Sequence, residues 1–355
     1  MKNSAQWVKA DSACSILIIL MGSLGDVARG LCLGTAIKRA LPMSRLTWLV
    51  EPKCRELVEI HPSIDEVIVF DRPKGLPALI TLYKALRRKQ FDVTLDLQRH
   101  LKSGVFSFLS GARRRIGFHP RDAKELNWIF NSQHISYCGE AMPKWRHYLR
   151  FLGPLGIAVP KIPDFGFSET HLMDGLPKKV ADLPGPFAVL VMGSAWESKN
   201  WIEEGYSQLI RDILTSGKMQ VVMVGDKSQG RISDRLYRQF RHPYLVDYVG
   251  KTSLRELLGI LQAAAVAVGP DSGPGHLAAA LGTPYVALFG PTSARRTAPC
   301  GNEHLVIQVG VPCAPCYKRQ CPEVRRECMR RIRPDRVRER LSEAVLGMGK
   351  RDFFG

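Results

Sequence analysis

Short apolar runs alternate with longer amphipathic stretches along this chain, and that alternation restricts the fold more than any other feature. In the first half, 15-SILIIL-20, 46-LTWLV-50, 66-EVIVF-70 and 92-DVTLDL-97 read as strands. Helical stretches 28-ARGLCLGTAIKRAL-41 and 77-PALITLYKALRRKQ-90 lie among them. In the latter, Leu79, Leu82, Tyr83 and Leu86 recur at the spacing of one helix face. In the second half, 187-FAVLVMG-193, 220-QVVMVG-225, 265-AVAVGPDS-272 and 285-YVALFG-290 read as strands. The helical stretches 203-EEGYSQLIRDILTSG-217 and 253-SLRELLGILQAA-264 separate them. Strands that alternate with helices make βαβ units and a parallel sheet. Between the halves, 159-VPKIPDFGFSETHLMDGLPKKVADLPGPF-187 is rich in Pro and Gly and weakly periodic, as a linker is. The expected fold is α/β, with two doubly wound Rossmann-like domains facing a central cleft. The first domain covers 1–165, a linker 166–186, the second domain 187–340 and a tail 341–355. Ligands of such sheets bind at the carboxyl ends of the strands.

A chain of 355 residues is long enough for two cores. Its formal net charge of +18 points to a polyanionic partner: nucleic acid, an anionic membrane surface or a phosphorylated substrate. A generally basic soluble protein is the plainer alternative. No apolar run approaches the roughly 18 residues that span a bilayer, and the polar start MKNSAQWVKADSAC does not read as a signal peptide. A cytoplasmic enzyme that touches the inner membrane through a basic face is the expectation.

Three turns carry chemistry. In 269-GPDSGPGHLAAALGTPYVALFGPTSARR-296 a strand ends, Asp271, Ser272 and Gly273 turn, and a helix begins whose free amides make an anion site. Ser272 adds a hydroxyl and His276 a cation; as plain helix caps, Asp271 and Ser272 would need no ligand. In 192-MGSAWESKNW-201 a Gly-Ser turn, Gly193 and Ser194, lies close to Lys199, which suits a diphosphate, although the P-loop spacing is absent. The loop 21-MGSLGDVARG-30 spaces its glycines as G-x2-G-x4-G, unlike the dinucleotide fingerprint. Asp26 in that loop is then either an N-terminal helix cap or a general base.

Taken together, 22-GSLGDV-27, 96-DLQRHLKSG-104 with 111-GARRRIGF-118, 193-GSAWESKNW-201, 250-GKTSL-254 and 271-DSGPGHLAAALGTP-284 resemble a known family. It is that of the lipopolysaccharide core heptosyltransferases, ADP-heptose-dependent enzymes of glycosyltransferase family 9 with the GT-B fold. The resemblance runs from about residue 15 to about 345. It implies an inverting transferase that moves heptose from ADP-heptose to the inner core of a lipopolysaccharide precursor (lipid A-Kdo type). Asp26 matches the catalytic base. Ser194, Lys199, Thr252, Asp271, Ser272, Gly273 and His276 would hold the donor nucleotide. Gly25, Arg99, Lys102 and Arg113, the last within the run Arg113 to Arg115, would meet the acceptor. Fixed positive charge at the diphosphate can replace a divalent metal, so no essential cofactor is expected. Asp226 is the only acid near the position of the donor-ribose acid and is offset, and Ala195 lacks a hydroxyl found after the Gly-Ser turn.

Nine cysteines are present; Cys14, Cys32, Cys54, Cys138 and Cys300 are scattered and read as small buried apolar residues. Cys313, Cys316, Cys321 and Cys328 follow C-x2-C-x4-C-x6-C, which leaves a structural metal, a redox pair and free thiols open, with the metal favoured. From Cys313 to Arg340 ten Lys/Arg stand against four acids, which suits an anionic membrane surface or the outer face of a terminal helix. Two other functions compete: a GT-B enzyme with another nucleotide sugar (or an epimerase), and a basic nucleic-acid-binding protein. The second lacks interleaved aromatic and basic motifs, so no nucleic acid is expected.

Overall fold

Strands buried on both faces of a parallel sheet must be apolar nearly throughout, and the runs above are. The computed structural model describes residues 13–167, 172–323 and 325–346. The chain divides into two compact units, Met1–Phe167 and Ser168–Gly355.

In the first unit, β1 (Ser15–Ile19), β2 (Arg45–Val50), β3 (Glu66–Val69), β4 (Val93–Asp96), β5 (Arg114–Gly117) and β6 (Gln133–His134) form one sheet. Its order is β3-β2-β1-β4-β5-β6, with every neighbouring pair parallel. Helices α1 (Leu24–Ala40), α2 (Arg55–Glu59), α3 (Leu76–Lys89), α4 (Leu101–Leu109) and α5 (Lys144–Leu149) flank it. The glycines after β1 serve packing as well as turning. A Cβ on Gly30 would lie 2.6 Å from Leu20 Cδ2, so only glycine lets α1 sit this close to the sheet. The Trp48 indole, beside the same spot, donates to the Leu20 carbonyl at 3.0 Å.

In the second unit, β7 (Phe187–Val191), β8 (Gln220–Val224), β9 (Leu245–Asp247), β10 (Val266–Pro270), β11 (Tyr285–Phe289) and β12 (Val306–Gln308) run in the order β12-β11-β10-β7-β8-β9, again all parallel. Counted within its own unit, this is the same order as the first sheet. Around it lie α6 (Lys178–Ala181), α7 (Glu203–Ser216), α8 (Gly230–Phe240), α9 (Leu254–Ala263), α10 (Gly273–Ala280), α11 (Ala294–Thr297), α12 (Glu327–Arg330) and α13 (Pro334–Leu346). The tail expected from residue 341 begins inside α13, because Leu341, Ala344 and Val345 are buried in this unit's core. The last residues of that tail, 347–355, lie outside the described residues, as do 168–171 of the linker. Among the described residues, no helix is long and apolar enough to cross a membrane.

Each sheet has one place where the connections diverge to opposite sides, between β1 and β4 and between β7 and β10. The loops leaving these strand pairs part from each other and open a crevice. Asp26 lies at the first of these points, and Lys199 with Asp271 at the second.

Candidate active site

In the first unit the chain leaves β1, passes through Ser23 in an extended conformation and enters α1 at Leu24. Asp26 thus falls in the first turn of a helix, next to buried Gly25. Its Oδ1 accepts from Arg29 Nη2 at 2.6 Å, Lys144 Nζ at 2.9 Å and the Tyr148 hydroxyl at 3.2 Å. Its Oδ2 accepts from Ser23 Oγ at 3.1 Å. Burial pushes the carboxyl upward, but Lys144 and Arg29 together outweigh it and hold it well below the ordinary carboxylate range. Burial and the Asp26 charge push the Tyr148 phenol the other way, so it remains a donor. Among the described residues, one carboxylate oxygen accepts three side-chain hydrogen bonds and the other a single hydroxyl.

A cavity of about 140 Å³ adjoins this carboxylate, lined by Asp26, Gln98, Arg99, Lys144, His147 and Tyr148 among others. Gln98 joins the two diverging loops: its Oε1 accepts from the Met21 amide at 2.8 Å and its Nε2 donates to the Gly22 carbonyl at 3.1 Å. Behind it, fully buried Asp96 accepts from Asn127 Nδ2 at 2.6 Å and from the Gln98 amide at 3.1 Å. Arg99 has a left-handed backbone (φ 70°), donates to the Asp122 carbonyl at 3.2 Å and lies 5.5 Å from the Phe118 ring centre.

The other acceptor candidates fare differently. Lys102, in the first turn of α4, stands 3.8 Å from Glu51 and over the Phe70 ring, outside the cavity lining. Arg113 precedes β5, and the Val93–Arg114 register puts it at the amino edge of the sheet, opposite to Asp26. The structure therefore does not bring Arg113 to the cavity beside Asp26. Arg115 spends its guanidinium on the Phe130 and Ala112 carbonyls.

In the second unit Lys199 closes a short turn after β7 and Asp271 follows β10. Lys199 Nζ donates to Asp271 Oδ2 at 2.8 Å and lies 4.6 Å from the Trp196 ring centre. Thr292 Oγ1 donates to the same oxygen at 2.8 Å, and His276 Nε2 is 3.7 Å from the other. Burial pushes the Asp271 carboxyl up, while His276 and Lys199 draw it far below the usual range. This carboxylate is nearly sealed from solvent. It holds Lys199 and His276 at the amino end of α10, where Ser272 and Gly273 lead in. Ser194 holds its own turn, its amide donating to Asn200 Oδ1 at 2.7 Å and its hydroxyl to the Trp196 carbonyl at 3.1 Å. Thr252 precedes α9 beyond β9, on the same carboxyl edge of the sheet. Asp226 is exposed and caps a turn through the Ser228 amide at 2.7 Å.

The expected metal at the four cysteines is not supported. Among the described residues no group of three or more His, Cys, Asp or Glu is placed to hold a metal ion. Cys313 is exposed, Cys316 and Cys321 are half-buried, and Cys328 is buried on α12 against Gly290. Cys14, Cys32 and Cys54 are buried as expected, whereas Cys138 and Cys300 are half-buried.

Sequence reasoning found Asp26 but missed Arg29, Lys144, Tyr148 and Gln98. Arg29 was legible as the helix neighbour three residues on. Lys144 and Tyr148 come from α5, 118 and 122 residues away, with no local signal.

Compared with known proteins, residues 79–325 match the family described as glycosyltransferase family 9 (heptosyltransferase). The chain belongs to this family. It is a glycosyltransferase, and its two parallel sheets with flanking helices are those of a GT-B fold. This family 9 enzyme is 26% identical to lipopolysaccharide heptosyltransferase 1 of Pseudomonas aeruginosa, over 93% of this chain and 98% of that one. It is 25% identical to the lipopolysaccharide core heptosyltransferase OpsX of Haemophilus influenzae, over 83% and 84%. Among solved structures, Escherichia coli heptosyltransferase WaaC with ADP superposes with a TM-score of 0.76 at 22% identity, covering 93% of this chain and 99% of that one. A family 9 glycosyltransferase from Veillonella parvula gives a TM-score of 0.79 at 19% identity, covering 97% and 100%.

Proposed function

We propose that this enzyme transfers heptose from ADP-heptose, with inversion, to the inner core of a lipopolysaccharide precursor of the lipid A-Kdo type. It would do so as a peripheral protein on the cytoplasmic face of the inner membrane. The observation that carries the reading is the likeness to a lipopolysaccharide heptosyltransferase along 98% of that relative's length.

The geometry adds chemistry to it. The acceptor oxygen bonds to the anomeric carbon as the bond from that carbon to the diphosphate oxygen breaks. Asp26 Oδ2, which among the described residues accepts from Ser23 Oγ, takes the acceptor proton. A carboxylate held this acidic is a weak base towards a free alcohol. It becomes adequate once the attacking oxygen has bonded to an oxocarbenium-like carbon, so proton transfer comes late. In the second unit Lys199, His276 and the α10 amides receive the departing diphosphate, with Ser194 and Thr252 along the donor. Arg99 at the Asp26 cavity meets an anionic group of the acceptor.

The test is transfer of heptose from ADP-heptose to a lipid A-Kdo acceptor, beside other nucleotide sugars and other acceptors. Turnover only with another nucleotide sugar would overturn the donor assignment, and turnover only on another acceptor would overturn the acceptor.

A further inference from the structure

Helix α3 carries two apolar faces where one was expected. Leu82 and Leu86 are buried against the sheet, as their spacing requires. Leu76, Leu79, Ile80 and Tyr83 recur at i, i+3, i+4 and i+7 as a second stripe, and they are 68%, 42%, 48% and 46% exposed. A run of large apolar side chains on one outward helix face marks an interaction site more often than chance exposure.

The charges around the stripe identify what it fits. From Asp71 to Gln90 the chain carries six Lys/Arg and a single acid, Asp71. Asp71 pairs with Lys74 at 3.0 Å, and Lys89 pairs with Glu66. Arg72, Lys84, Arg87 and Arg88 remain as an exposed cationic border. The basic stretch near the C-terminus also leaves cations exposed, Lys318, Arg319, Arg325, Arg330 and Arg336, but among the described residues no apolar helix stripe accompanies them. We infer that α3 lies flat in the interface of an anionic bilayer, with Leu76, Leu79, Ile80 and Tyr83 inserted and the border cations on lipid phosphates. An apolar stripe with cations at its edge and a tyrosine at headgroup depth suits that interface. A protein groove would need the stripe but not the cations. The inference gives a surface to the membrane association proposed above and takes its biological sense from that reading.

The full chain would be floated with vesicles of phosphatidylcholine alone and with phosphatidylglycerol added, at low and high salt. No sugar donor or acceptor is present, so a wrong assignment of either leaves this result readable. Wild type should bind the anionic vesicles, with binding weakened by salt. Leu79→Glu with Ile80→Glu should reduce binding about tenfold or more. Lys84→Glu with Arg88→Glu should remove the salt-sensitive part. Unchanged melting curves for these exposed positions would exclude unfolding as the cause. Equal binding to neutral and anionic vesicles, or full binding by the Leu79/Ile80 variant, would overturn the inference. So would a concentration-dependent dimer in sedimentation that this variant abolishes, which would assign the stripe to a second copy of the chain.

Discussion

Lys144→Met removes one of the two cations on Asp26 while keeping the length of the side chain. At 2.9 Å and an effective dielectric of about 20, the pair attracts by about 6 kcal/mol. Most of that is offset by the desolvation of an ammonium that is 25% exposed beside a carboxylate 20% exposed. A charge-assisted hydrogen bond in such a setting contributes about 1.5–3 kcal/mol net, or about 3–10 °C in melting temperature. The sign with pH follows from the depressed carboxyl. Its stabilisation is fully present above the unfolded pKa of about 3.9 and is lost as pH falls through the folded value. The gap between wild type and variant, read by thermal melts, should be full at pH 7 and shrink towards pH 3. In wild type no acid limb of kcat/KM near pH 5–8 should come from Asp26. In the variant, Arg29 is the remaining cation named against burial, so that limb moves up. A variant that melts within about a degree of wild type, with an unchanged pH profile, would refute the idea that Lys144 holds Asp26 ionised.

Asp271→Asn takes away the anion shared by Lys199 and His276 and should cost about 3 kcal/mol in urea unfolding. Lys199→Met should weaken ADP binding about tenfold or more by calorimetry. His61 donates from Nε2 to the Phe165 carbonyl at 2.7 Å, and burial lowers its pKa to about 4. Unfolded chain therefore takes a proton that the folded ring refuses. Stability should fall by up to about 3 kcal/mol as pH drops from 6.5 towards 4, and His61→Gln should flatten that slope. Arg113→Glu, at the opposite edge of the sheet from Asp26, should leave kcat/KM within about twofold.

Much of the architecture was written in local patterns. The eight apolar runs became β1 to β4, β7, β8, β10 and β11, because most of these strands are buried nearly throughout and carry few polar residues to blur the signal; β3, at a sheet edge, is the exception. The strands β5, β6, β9 and β12 did not stand out; they are short or lie towards the sheet edges, and β5 begins with two arginines. Periodicity also marked α3 as amphipathic but could not say that Leu79 and Tyr83 face outward. The site was legible where a residue follows its strand directly, as Asp26 and Asp271 do. It was not legible where partners arrive from a distant helix, as Lys144 and Tyr148 do. The role of Asp271 needed coordinates too: only the 2.8 Å contact with Lys199 shows that it positions a cation.

The most direct test is single-turnover transfer of heptose from ADP-heptose to a lipid A-Kdo acceptor by wild type and Asp26→Asn, with ADP affinity measured on both. Wild type should transfer heptose. The variant should bind ADP within about twofold and lose about 10²–10⁴ in the transfer step, the range of a positioned general base. Transfer by Asp26→Asn at the wild-type rate, or no heptose transfer by the wild type, would contradict the account.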